Sequence, residues 1–213
     1  MIILTAGHTG AGTGAQCAET HFDEGAENIW LRNRVAEILT NKYGLVVLMD
    51  DDTASLKLLV KELSRDTACR VLSVNRPTNN QSNERTDARQ DTARRVPTSD
   101  DFVIDLHFNA HPNPQVRGAE TIVSDDATTL ELRFASRLAH TTAEALNIPL
   151  RSIKSESQTP HRRLAMLHLT PQSIILEICF CTSPKDVAQY RKHREQLANA
   201  LAHHITELLQ THL

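Results

Sequence analysis

The stretch that decides the fold is Ile174-Ile175-Leu176-Glu177-Ile178-Cys179-Phe180, in which six apolar residues surround one carboxylate. A continuous apolar run of this length is typical of a strand that is buried on both faces of a sheet. Other elements must pack on both faces of such a strand, so we expect an α/β fold with a mostly parallel sheet. Glu177 must be paired, metal-bound or facing a cleft, because burial of an unpaired charge is very costly.

Shorter apolar runs alternate with helical patterns along the rest of the chain. Further strands are predicted at Ile2–Ala6, 45–49, 69–74, 102–108 and 120–124. Helices are predicted over 24–42, 53–66, 84–95 and 130–145, with a closing helix through 197–208. Residues 151–161 are polar and predicted to be irregular. This alternation predicts one α/β domain over residues 1–213, with a twisted, mostly parallel sheet of about six strands and helices on both faces.

Composition and charge exclude several functions. The 213 residues carry a formal net charge of −3, which gives no broad electrostatic basis for binding nucleic acid or an anionic membrane. No uninterrupted apolar window approaches the ~18 residues that a membrane span requires. Four cysteines without a C-x-x-C spacing do not form a disulfide scaffold, so we expect them to be reduced. The N-terminus lacks the basic region of a signal peptide, so we expect synthesis in the cytoplasm without one.

Residues capable of chemistry lie at the ends of predicted strands and at one helix start. His8 follows the first strand, Glu24 opens a helix, His107 ends a strand and Glu177 lies inside one. Two imidazoles and a carboxylate suit a catalytic zinc site whose fourth ligand is water, and a further carboxylate would act as general base. The chain has 11 histidines, and any one of them is more often a surface or core residue than a ligand. The spacing alone therefore leaves both interpretations open.

Several blocks between residues 7 and 186 resemble the zinc-dependent N-acetylmuramoyl-L-alanine amidases of the amidase-3 type. The sequence GHTGAGTGA at 7–15 resembles their G-H-G-G-x-D-P-G-A opening, and EGAENIWLRNRVAEIL at 24–39 is similar to their first helix. DLHFNA at 105–110 resembles S-I-H-A-N-A, and GAET at 118–121 resembles G-x-E-T. LEICFCTSPKD at 176–186 is similar to L-V-E-x-G-F-L-S-N-P-x-D.

The resemblance implies a site and a reaction. His8, Glu24 and His107 match the family's ligands of one Zn²⁺ ion, and Glu177 matches its catalytic glutamate. The implied reaction is hydrolysis of the peptidoglycan amide that joins the lactyl group of N-acetylmuramic acid to L-alanine. The zinc ion would polarise the carbonyl, and Glu177 would move a proton from water to the departing amine.

Some residues depart from the family pattern. Gly12 and Thr13 replace the usual Asp-Pro. Asp105 stands where a small serine is common, and either supports a ligand or faces a polar partner. Glu27 lies three residues after Glu24 and could reach the same helix face, so it remains an alternative ligand. The segment around 50–95 is longer than a minimal member requires.

Three further residues are candidates for substrate binding. Asn109 follows His107 closely enough to contact substrate or to brace the loop. Arg162 and Arg163 could contact a carboxylate of the stem peptide, the peptide that begins with the L-alanine.

The resemblance favours a single-domain enzyme like a phage or prophage lysin, which reaches the wall after release or by non-standard export. Peptidoglycan is its expected partner, and no obligate protein partner is evident. Two alternatives remain open, a zinc exopeptidase or related amidohydrolase, and a peptidoglycan-binding module that has lost catalysis.

Overall fold

A mixed sheet lies at the centre of the computed structural model, which describes residues 1–8, 14–50, 73–75, 100–170 and 172–211. The strands are β1 Ile2–Ala6, β2 Gln16–Cys17, β3 Phe22–Asp23, β4 Val47–Met49, β5 Ser73–Asn75, β6 Phe102–Asn109, β7 Ala119–Val123, β8 Leu150–Ser155 and β9 Ser173–Phe180. In the described residues, seven of them form the central sheet in the order β5-β4-β1-β6-β9-β7-β8. The strands β2 and β3 form a separate antiparallel pair.

Most neighbours in the central sheet are parallel. The pairs β4–β1, β1–β6, β6–β9 and β7–β8 are parallel, whereas β5–β4 and β9–β7 are antiparallel. The predicted α/β class with a mostly parallel sheet is therefore confirmed, with one strand more than the six expected. The parallel strands β1, β6 and β9 are neighbours, so their carboxyl ends meet at one edge of the sheet.

In the described part of the chain, three α-helices pack on one face of this sheet. They are α1 Glu24–Tyr43, α2 Thr129–Leu146 and α3 Pro184–Gln210. Alternate residues of the strands, such as Leu106 and Leu176, belong to one apolar core with Leu31, Leu138 and Leu201 of these helices. None of the helices in the described ranges is long and apolar enough to cross a membrane.

The opposite face carries a smaller apolar group. Ile122 and Ile175 pack there against Leu167, which belongs to the 3₁₀ helix Ala165–His168. A second 3₁₀ helix, Glu156–Gln158, follows β8 directly. Helical elements thus lie on both faces, as expected.

Two boundaries differ from the sequence-based expectation. Residues 150–155, expected to be largely irregular, form the edge strand β8, whose residues are half-buried or exposed and so lack the apolar pattern of a buried strand. The last helix begins at Pro184, with Ser183 as its N-cap, and its first turns are polar. The helices predicted over 53–66 and 84–95 lie outside the described residues, as does most of the strand predicted at 69–74, of which β5 is the end.

Candidate active site

Three side chains converge at the carboxyl ends of β1 and β6. His8 follows β1, His107 lies near the end of β6, and Glu24 is the first residue of α1. Their ligand-type atoms all lie within 4.8 Å of one another. Glu24 Oε1 is 3.8 Å from His8 Nε2 and 3.4 Å from His107 Nδ1. The structure therefore brings together the three residues that the sequence singled out as metal ligands.

Backbone donors fix the Glu24 carboxylate in this cluster. Its Oε2 accepts a hydrogen bond of 2.7 Å from the Ala15 N–H, and its Oε1 accepts one of 3.1 Å from the Phe108 N–H. Burial opposes ionisation of this carboxyl. Hydrogen bonds and charge from His107, together with the Ala15 N–H, nevertheless lower its pKa. Glu24 therefore lies at the cluster as an anion.

A second carboxylate lies behind His107. The His107 Nε2 is 3.0 Å from Asp105 Oδ2, and the Thr5 hydroxyl donates a 2.7 Å hydrogen bond to Asp105 Oδ1. Burial alone would lower the pKa of His107, but Asp105 and Glu24 raise it well above its ordinary value. The same negative surroundings that hold a proton on this ring would favour a bound cation.

Two glycines make room for the cluster. A Cβ atom at Gly7 would lie 2.0 Å from the His107 ring. Gly14 has a φ of +80°, and a Cβ atom there would lie 2.7 Å from Glu24 Oε2 and 2.8 Å from the His8 ring. At Gly7 and Gly14 the backbone therefore approaches the imidazoles and the carboxylate where no side chain would fit.

Glu177 lies next to this cluster in the sheet. It is paired with His107 across β6–β9 and with Glu120 across β7–β9. Burial, together with the neighbouring carboxylates Glu24 and Glu120, raises the pKa of Glu177 to about 7, although the charge of His107 opposes the increase. Its Oε2 is buried and has no hydrogen-bond partner among the described residues. A partnerless carboxylate whose pKa is near neutrality is able to take and release a proton.

Glu27, the alternative carboxylate on α1, points elsewhere. Its Oε2 accepts hydrogen bonds of 3.1 Å from both the Tyr190 hydroxyl and Arg194 Nη1 on α3. The structure therefore places Glu24, and not Glu27, with the two histidines.

The other sequence candidates lie in two different places. Asn109 Nδ2 donates a 2.8 Å hydrogen bond to Glu120 Oε1, which links the end of β6 to β7 across β9. Arg162 and Arg163 are exposed, and no contact joins them to the cluster in the described part of the chain. Sequence reasoning missed Arg151 and Lys154, which bind Glu120. Both lie in the segment that was expected to be irregular, and their charges alone did not mark them as functional residues.

A second group of ligand-type side chains lies on α3, where His203, His204 and Glu207 come within 4.8 Å of one another. Arg137 Nη2 is 2.9 Å from His204 Nδ1 and 3.5 Å from Glu207 Oε2. The guanidinium already places a cation against this partly exposed group, so we assign no metal to it.

Comparison with known proteins identifies the family of the chain. The Amidase_3 family model, described as N-acetylmuramoyl-L-alanine amidase, matches residues 2–207. No curated protein matches the chain significantly in sequence.

Solved structures of amidases are similar in fold. The N-acetylmuramoyl-L-alanine amidase of Clostridium difficile 630 has a TM-score of 0.69 and 19% identity, over 98% of this chain and 96% of that one. AmiC2 of Nostoc punctiforme has a TM-score of 0.67 and 20% identity, over 99% and 97%. The catalytic domain of CwlV from Bacillus (Paenibacillus) polymyxa var. colistinus has a TM-score of 0.66 and 19% identity, over 98% and 97%.

Proposed function

The chain belongs to the N-acetylmuramoyl-L-alanine amidase family, and from this premise we propose that it is a zinc-dependent hydrolase of peptidoglycan. The bond that it cleaves is the amide between the lactyl group of N-acetylmuramic acid and L-alanine. The observation that carries this proposal is the convergence of His8, Glu24 and His107 beside the partnerless carboxylate of Glu177.

The donor set fits a zinc ion. Two imidazole nitrogens and one carboxylate oxygen are the ligands of many catalytic zinc sites, which keep a position open for water or substrate. Asp105 behind His107 adds the carboxylate that commonly orients a zinc-binding histidine. A site for Mg²⁺ or Ca²⁺ would instead be built mainly from oxygen atoms. A bound Zn²⁺ ion supplies a Lewis acid that polarises the scissile carbonyl and lowers the pKa of water.

The chain's own residues perform the proton transfers in this proposal. Glu177 in its ionised form accepts a proton from the attacking water. It then returns that proton to the nitrogen of the departing L-alanine, because an amine leaves far more readily than an amide anion. Its pKa of about 7 allows both transfers near neutral pH. Asp105 and the N–H groups of Ala15 and Phe108 meanwhile hold His107 and Glu24 in place.

Digestion of purified peptidoglycan, followed by mass spectrometry of the products, tests the reaction. Wild-type protein with added zinc should release stem peptides that begin in L-alanine and leave glycans with intact lactyl groups. A chelator, or the substitution Glu177→Gln, should abolish both products. The matched control is Glu27→Gln, which changes a carboxylate on α1 that bonds to α3 instead of to the cluster. Its product pattern should match that of the wild type.

The same digestion separates the alternatives. Cleavage within the stem peptide would contradict the amidase proposal and identify a zinc peptidase. The absence of any cleavage by protein that binds one zinc ion would point to a binding module or to a missing activator. Glu177 argues against that module, because its Oε2 is buried without a hydrogen-bond partner among the described residues, and such burial costs stability.

A further inference from the structure

Beside the candidate active site, one buried carboxylate is shared by two cations. Glu120 on β7 is 1% exposed. Its Oε2 accepts a 2.6 Å hydrogen bond from Arg151 Nε, and its Oε1 accepts 2.8 Å hydrogen bonds from Lys154 Nζ and Asn109 Nδ2. Neutralisation of one carboxylate requires a single cation. The group of Glu120, Arg151 and Lys154, here named the cationic edge, therefore carries one surplus positive charge.

The two cations remain open to solvent on one side. The side chains of Arg151 and Lys154 are 34% and 32% exposed. Arg151 is held in place, since its Nη1 donates to the Arg117 carbonyl at 3.3 Å and its guanidinium lies 5.1 Å from the Phe180 ring centroid. No bond is made by Arg151 Nη2 within the described ranges, and Lys154 Nζ makes only the bond to Glu120 there. These N–H groups can donate to a ligand.

The position of the cationic edge relates it to the reaction. Glu120 is directly opposite Glu177 in the antiparallel pair β7–β9. Opposite residues of such a pair project from the same face of the sheet, with Cβ atoms about 5 Å apart. On its other side, Glu177 is paired with His107 of β6. The cationic edge and His107 therefore lie on opposite sides of Glu177.

We propose that Arg151 and Lys154 form a subsite that binds a free carboxylate of the stem peptide. The proposal rests on the proposed function, in which the peptide is joined to the sugar through its first residue. Every free carboxylate of that peptide then lies on the side of the scissile amide away from the sugar. A guanidinium with unused donors beside an ammonium group matches a carboxylate in both charge and geometry. One surplus positive charge matches one carboxylate.

Binding of two product peptides to the wild-type protein tests this subsite without turnover. The peptides are L-alanyl-D-glutamate γ-methylamide, whose only carboxylate is the free α-carboxylate, and L-alanyl-D-isoglutamine γ-methylamide, in which that group is an amide. Dissociation constants are measured by NMR titration of the zinc-loaded protein. We expect about tenfold tighter binding of the carboxylate peptide, the size of one charge-assisted hydrogen bond. Equal affinities would overturn the proposal.

Two variants test whether Arg151 and Lys154 cause the preference for the carboxylate peptide. Lys154→Gln and Arg151→Gln should each reduce the difference between the two peptides to about twofold or less. Lys192→Gln removes the same charge from an exposed position on α3 and should retain the full difference. If the two cations had a purely structural role, the substitutions would weaken binding of both peptides alike. The ratio of the two dissociation constants would then be unchanged, which would also overturn the proposal.

Hydrolysis provides an independent readout. With N-acetylmuramoyl derivatives of the same two peptides, Lys154→Gln should raise KM for the carboxylate substrate and leave kcat nearly unchanged. If neither derivative is cleaved while the tenfold binding preference persists, the proposed reaction is wrong and the subsite stands. If both are cleaved with equal KM by the wild type, the reaction stands and the subsite is wrong.

Discussion

Asp105 and His107 form a hydrogen-bonded pair on one face of β6, with His107 Nε2 3.0 Å from Asp105 Oδ2. Side chains two residues apart in a strand project to the same side, which places the carboxylate directly behind the ring. The Thr5 hydroxyl on β1 fixes that carboxylate with a 2.7 Å hydrogen bond. The ring therefore has one orientation, with Nε2 toward Asp105 and Nδ1 toward Glu24. The side chain that departs from the family's usual serine thus has a defined contact.

We expect Asp105→Asn to weaken zinc binding by about ten- to a hundredfold, the usual effect of removing a carboxylate behind a ligating histidine. Competition with a chromophoric chelator measures this affinity directly, without a substrate. Asp126→Asn removes the same charge from an exposed turn and should leave the affinity unchanged. An Asp105→Asn protein that binds zinc as tightly as the wild type would show that Asp105 does not support the site.

We expect Gly14→Ala to weaken zinc binding and Gly44→Ala to leave it unchanged. Both glycines have a left-handed φ, +80° and +69° respectively. A Cβ atom at Gly44 meets nothing within 4 Å, so only backbone strain of about 1 kcal/mol applies there. A Cβ atom at Gly14 would displace Glu24 or His8 as well. Zinc titration of the two variants should therefore show weakened binding only for Gly14→Ala. Equal zinc affinities would contradict the role assigned to this glycine.

The sequence was sufficient for the parts of the fold where burial leaves a pattern. Continuous apolar runs predicted β1, β6 and β9, and with them the placement of His107 and Glu177 on strands. The structure shows in addition that these two strands are neighbours. The edge strand β8 was missed because Arg151 and Lys154 interrupt its half-buried pattern. Their shared bond to Glu120 depends on tertiary pairing of β7 with β8, which no local pattern encodes. For the same reason the sequence left two roles open for Asp105.

Hydrolysis should decline as the pH falls through the pKa of Glu177. The reaction requires the ionised carboxylate, and protonation removes the base. The pKa of about 7 applies without a cation, and a bound divalent ion nearby stabilises the anion and lowers it. We therefore expect the acidic limb of the profile of kcat/KM against pH at or below pH 7. Circular dichroism at each pH checks that the protein remains folded. Activity that rises from pH 7 to pH 5 would contradict the role of Glu177 as base.

Glu177→Gln should stabilise the zinc-free protein at alkaline pH while it abolishes hydrolysis. In the folded state the pKa of Glu177 is about 7, above its ordinary value of 4.5, so the folded state binds the proton more tightly than the unfolded state. The bound proton contributes to the free energy of unfolding. This contribution is fully present below pH 4.5 and is lost as the pH rises to about 7. The loss is at most about 3.5 kcal/mol, since each of the ~2.5 pH units between 4.5 and 7 corresponds to about 1.4 kcal/mol. An amide has no charge to bury, so the gain in unfolding free energy should be largest at pH 8 and nearly absent at pH 4.5. Urea unfolding of both proteins at the two pH values measures it. A variant equally or less stable than the wild type at pH 8 would show that the buried carboxylate carries no such cost.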